Sequence, residues 1–191
     1  MNFKLVTPPS TYPVTLAQVK EHLRLPASYT SEDNTLQIYL DAAVKTAEDR
    51  TNRALLAQTW RVSFDYFTPV LTINKTPLIS VTHLKYYDVA GDIQTLDPSK
   101  YIVDADNEPF RITSIPGITF PSVQKRINAI TVTFQAGYAS AALVPKNIIS
   151  GILLIVDDLY KQRGSTIVGY SVNNVPLTAD KLFESERVIW L

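Results

Sequence analysis

The chain has 191 residues, 46% of them hydrophobic, enough to bury a substantial core as one domain or as one domain carrying a subdomain. Its 18 basic and 18 acidic side chains cancel, so the overall basic excess behind strong non-specific nucleic-acid binding is missing and only a local basic patch remains open. With no cysteine, disulfides, thiolate metal sites and cysteine nucleophiles are excluded together, which suits synthesis in a cytosol.

The opening "MNFKLVTPPS" has neither the basic start nor the long apolar run of a signal peptide. In "YPVTLAQVKEHLRLP", residues 12–26, Leu16, Val19 and Leu23 share one helical face. Thr15 and Gln18 form a capping box and Pro26 ends the run, which predicts a helix over 16–24. A helix this short is marginal alone in water, so it must pack on something. From Ser31 to Leu55 a second helix is predicted, with Leu36, Leu40, Ala43, Val44 and Ala47 as its apolar stripe. Asp41–Lys45 and Asp49–Arg53 fall at the favourable i,i+4 spacing on its outer face.

The period then changes to two. "WRVSFDYF" alternates Trp60, Val62, Phe64 and Tyr66 against polar residues, the pattern of a half-buried strand. Further short runs at Val70–Ile73, Val81–Tyr87, Ile93–Leu96, Tyr101–Val103, Phe110–Thr113 and Ile130–Phe134 are separated by turn signals such as "DVAGD" and "SIPG". A last long helix is predicted from Pro145 to about residue 163, where the apolar arc is wide enough to need two covering surfaces. Its longest apolar run, "IISGILLIV", is far short of the roughly twenty residues that span a bilayer. Gly164 to Asn174 reads as a loop, and 178–185 as one or two helical turns.

The expected fold class is therefore α+β, a small three-helix core with an inserted antiparallel β subdomain. Residues 1–57 are the N-terminal helical part of the core, 58–135 the insertion, 136–163 the C-terminal core helix, and 164–191 a flexible loop and apolar tail.

No catalytic or metal constellation emerges. "GSTIVGYS", Gly164–Ser171, fits a phosphate loop except that Tyr170 replaces the lysine and the stretch follows a helix, so a polar loop is the better reading. "DADNE", Asp104–Glu108, lacks the glycine and glutamate of a calcium loop and reads as a solvated turn. His22 and His83, the only histidines, have no metal-ligand spacing. A Ser-His-Asp triad assembles in space and is not decided by sequence order, but no G-x-S-x-G elbow is present. No cofactor is expected.

"LVTPPS…YPVTLAQVKEHLRLP", "EDNTLQIYLDAAVKTAEDRTNRALLAQTW", "NAITVTFQAGY" at 128–138 and "VPKNIISGILLIVDDLYKQR" at 144–163 together resemble the head–tail connector (head-completion or adaptor) proteins of long-tailed bacteriophages, prophages and gene transfer agents. The resemblance implies a structural virion protein made in the host bacterial cytoplasm. It would form a closed ring of about twelve copies below the portal, extending the DNA channel and receiving the tail. Its partners would be its own copies, the portal protein and a stopper or tail-completion protein, with DNA passing through without specific binding and no membrane involved. A tail-completion protein of the same virion, or a small hydrolase, is the alternative. The long β insertion departs from compact, mostly helical family members, as do Asp157, Asp158 and Leu159 from the more aromatic run that members often carry in the third helix.

A ring needs one face of each copy to meet a different face of the next. The wide arc of the last helix nominates Ile149, Ile152, Val156 and Tyr160, and the apolar end "LFESERVIWL" nominates Phe183, Ile189 and Trp190, with Trp190 as anchor on a neighbouring subunit or the portal. The alternative is a tail folded back over its own β subdomain.

Overall fold

A computed structural model describes residues 3–162 and 178–189. Among these, two compact units separate: a helical unit of residues 11–55, 140–162 and 178–188, and a β unit of residues 3–10, 56–139 and 189.

The helical unit contains α1 (Leu16–His22), α2 (Asp33–Thr51), α3 (Lys146–Lys161) and α4 (Ala179–Glu184). The capping box at α1 forms as expected: the Gln18 amide N–H donates to Thr15 Oγ1 at 3.2 Å and the Thr15 amide donates to Gln18 Oε1 at 2.8 Å. Val19 on α1, Leu36, Leu40, Ala43 and Ala47 on α2, and Ile148, Ile152 and Val156 on α3 are fully buried or nearly so and make the core. α2 stops at Thr51 because Asn52 adopts left-handed backbone (φ 59°), a common helix ending for which asparagine is suited. Its side chain then donates to the Val188 carbonyl at 3.0 Å. With Arg53 thrown off the helix, the expected Asp49 partner is Lys45 instead (2.6 Å), and Arg53 donates to the Glu186 carbonyl.

The described residues hold four helices, one more than the expected three. The additional one, α4, is the one or two helical turns expected over 178–185. Phe183 on α4 is 1% exposed, and its ring comes so close to Gly151 of α3 that a Cβ there would sit 2.4 Å from a ring carbon. The glycine inside "IISGILLIV" is thus the notch that lets α4 seat.

The β unit is wholly antiparallel. A five-stranded sheet runs in the order β1 (Phe3–Thr7), β2 (Gln58–Phe64), β8 (Ile130–Ala136), β4 (Leu78–Tyr87), β5 (Ile93–Leu96). A three-stranded sheet has the order β3 (Val70–Ile73), β7 (Phe110–Ser114), β6 (Tyr101–Asp104). Their apolar faces supply one core, in which the Phe110 and Phe134 rings meet edge-on at 5.1 Å. β1 lies within the segment expected to be helical. Its residues are mostly exposed and give no alternating signal, yet it pairs along β2 with Phe3 opposite Val62 and Leu5 opposite Trp60. At the end of β8, Gly137 (φ 122°) donates its amide to the Pro77 carbonyl, and a Cβ there would lie 2.1 Å from the Leu56 carbonyl oxygen. Only glycine fits this crossing.

Candidate assembly surface

The residues nominated for an interface separate into three groups. Ile152, Val156 and Phe183 are buried inside the helical unit and present nothing to a neighbour. The wide arc of α3 did need two covers, as its spacing implied; α2 supplies one and α4, from the same chain, the other. Ile149 and Tyr160 are half-buried, and the Tyr160 hydroxyl donates to a Glu32 carboxylate oxygen at 2.9 Å. Ile189 is 71% exposed. Trp190 lies outside the described residues, as does the stretch Gly164–Ser171.

The tail expected to swing outward is tied down as far as Val188. That residue is 5% exposed and donates its amide to the Thr51 carbonyl at 3.0 Å, satisfying one of the open acceptors at the end of α2. The apolar side chains of 183–188 therefore close their own helical unit, and of the nominated tail residues only Ile189 stands free among those described.

The remaining candidates for chemistry have structural uses. Asp104 accepts from Arg111 Nε at 3.0 Å and from the Asn107 side chain at 2.8 Å, and the Arg111 bond chiefly holds its carboxyl below the usual carboxylate range. The acidic "DADNE" stretch is thus a turn that stabilises itself. His22 is exposed on α1, while His83 is half-buried on β4. Among the described residues no group of three His, Asp or Glu could hold a metal ion, and no helix is long and apolar enough to cross a membrane.

Sequence reasoning missed Lys20. It is 7% exposed on α1, with its ammonium 2.6 Å from Asp33 at the start of α2. Such a buried cation is held by its partner, because either charge left alone there would be costly. Helical spacing offered a hint, since Lys20 directly follows the buried Val19.

Exposed apolar side chains lie on both units. The helical unit shows Ile38 (65% exposed) and Leu143 (62%), and the β unit shows Leu5 and Val6 on its edge strand β1. Such surface is available for contacts between copies.

Residues 13–90 match the family described as phage gp6-like head-tail connector protein. The matched stretch contains the capped first helix and the long second helix on which the resemblance was read, and there the resemblance is borne out. It spans less than half the chain. The fold as a whole is similar to three solved chains. One comes from the "Virion of native gene transfer agent (GTA) particle", with a TM-score of 0.82, 24% identity, and coverage of 100% of this chain and 97% of that one. A second is from the "Neck of empty GTA particle computed with C6 symmetry", at TM-score 0.83, 24% identity and the same coverage. The third, from the "Neck of native GTA particle computed with C12 symmetry", gives 0.76 and 21% identity, again over 100% and 97%. At these identities the likeness establishes the fold, with the β unit included. No curated protein matches the chain.

Proposed function

We propose that the chain is a head–tail connector, a structural virion protein and not an enzyme. It assembles as a closed ring below the portal, extends the DNA channel and receives the tail. The observation that carries this reading is the coincidence of two likenesses. The connector family matches the helices of residues 13–90, and the whole fold follows chains from particle necks at nearly full coverage of both. The symmetries named for those necks suit a ring of about twelve copies, in which unlike faces of successive copies meet.

Within that ring the contacts fall to exposed surface. Ile149, Tyr160 and Ile189 remain in the proposed interface, with Trp190 as the anchor beyond Ile189. Ile152, Val156 and Phe183 act from beneath, holding the helical unit in shape. The portal protein and a stopper or tail-completion protein are the expected neighbours, at the head–tail junction of the virion.

The test is mass by light scattering and negative-stain microscopy of the purified full chain, alone and with portal particles. A ring of about twelve copies on the portal is the expected result. A protein that stays monomeric when bound to its portal would overturn the reading.

A further inference from the structure

The five-stranded sheet has one face in the core, carrying Val62, Leu84, Val132 and Phe134. The register sets a different population on the other. Lys4 stands opposite Arg61, Arg61 opposite Thr133, and Thr133 opposite His83, a single row across β1, β2, β8 and β4. The next row on the same face is Ser63, Thr131, Lys85 and Thr95. Every ionisable side chain in these two rows is a lysine, an arginine or a histidine, and no carboxylate is among them.

Lys4, Arg61 and Lys85 are exposed, and no ion pair engages them among the described residues. A hollow of about 270 Å³ opens on this face, with Arg61, His83, Lys85, Tyr87 and Thr131 in its lining. At its rim the Arg126 guanidinium lies over the Tyr87 ring, 3.8 Å from the centroid, adding a further cation. Thr133, in the middle of the first row, has a buried hydroxyl oxygen with no hydrogen-bond partner. His83 is pushed below the ordinary histidine range, first by burial and then by the charges of Lys85 and Arg61, so the cations converge on one spot.

We propose that this face of the β unit binds the phosphate backbone of duplex DNA, with Lys4, Arg61 and Lys85 as the phosphate contacts. The assignment rests on the reading of the chain as part of a DNA conduit. Its spacing favours DNA over an acidic peptide. Strands lie about 4.8 Å apart, so Lys4 to His83 spans roughly 14 Å across the sheet, and Lys85 stands about 7 Å further along β4. An acidic strand would instead add to a sheet edge, where main-chain groups are free. Three cations on a broad face suit a duplex bearing a charge about every 1.7 Å of its axis. Contacts so few, made to phosphate alone, carry no sequence information and let the duplex move along.

Fluorescence anisotropy with a labelled random-sequence duplex of about 30 base pairs tests the proposal on the full chain, with self-association followed in the same samples by light scattering. Two or three phosphate contacts give a slope of log K against log salt of about −1.8 to −2.7, a loss of about 40- to 230-fold between roughly 20 and 150 mM salt. The triple variant Lys4→Glu, Arg61→Glu, Lys85→Glu is expected to lose binding while keeping its melting temperature, and Lys45→Glu on α2 to bind as the parent does. A parent protein that ignores DNA at about 20 mM salt, or a triple variant that binds like the parent, overturns the proposal. So does a triple variant that loses self-association but keeps DNA, because the face is then a contact between copies. Failure of the ring reading would show in light scattering and leave the binding isotherm as it is.

Discussion

The helical and β units handle charge in opposite ways. In the helical unit acids and bases meet: Lys20 with Asp33, Lys45 with Asp49 and Lys161 with Asp157, each at 2.6 Å, and Arg50 with Asp180 at 3.6 Å. In the β unit Asp104 and Arg111 meet as well, but across the five-stranded sheet the charges part. Asp88 accepts from the Gly91 and Asp92 amides and the Gln94 side chain, and Asp97 accepts from the Ser99 amide, so these carboxylates cap turns while Lys4, Arg61 and Lys85 stay on the open sheet face. Turn geometry needs acceptors for its loose N–H groups, and Asp supplies them locally. The cations have no such local task. A formal charge of zero therefore averages a mixed surface with a segregated one, and it does not describe either.

The two units also close their cores differently, and there the largest effects are expected. Gly137 faces a backbone carbonyl, which cannot swing away, whereas Gly151 faces the Phe183 ring, which can. Gly137→Ala combines left-handed backbone with a clash against Leu56, and should cost about 3–5 kcal/mol in denaturant titration, at the upper end of single substitutions. A loss below about 1 kcal/mol would mean that the crossing relaxes easily, and the contrast with Gly151 would fail.

Phe183→Ala, which empties the notch over Gly151, should cost about 3–5 kcal/mol, while Ile189→Ser should stay within about 0.5 kcal/mol. The pair is read by melting temperature alongside portal binding. If Ile189→Ser alone weakens assembly, the division between the sealed helical unit and a usable surface beyond it is sharpened. Equal stability losses would break it.

The smallest effect concerns His83. Its folded value lies below the ordinary 6.5, so protonation favours the unfolded chain. Stability should be complete above about pH 6.5, fall as pH drops from there to the lowered folded value, and then level off. His83→Gln should flatten that slope, and Arg61→Gln or Lys85→Gln should shrink it by removing a repelling charge. An unchanged slope in all three would show that the cations do not converge on His83.

The fold was legible where local pattern and tertiary role agree. Trp60 and Val62 alternate with Arg61 because the strand has one wet face, and Leu36, Leu40, Ala43 and Ala47 repeat because α2 has one dry stripe. β1 escaped notice because an exposed edge strand has little buried face to reveal it. Ile152 and Val156 were legible as apolar but not as core, since a helix spaces such residues alike whether its own chain or another covers them. The basic face could not be read at all. Lys4, Arg61, His83 and Lys85 are scattered along the chain and become neighbours only through strand register.

The order in which the helical unit's parts are made has a consequence for synthesis. α2 ends at Thr51 and α3 begins at Lys146, with most of the β unit translated between them. At about 5–20 residues per second, those roughly ninety residues take on the order of 5–20 s, during which Leu36, Leu40, Ala43 and Ala47 have no α3 to cover them. The nascent chain must carry an uncovered apolar stripe through that interval, the period in which a chaperone that holds exposed helices would matter most. Once α3 emerges, closing so long a loop adds little entropic cost over closing a shorter one, because that cost grows only with the logarithm of length. Delay, rather than the final closure, is the hazard this chain order creates.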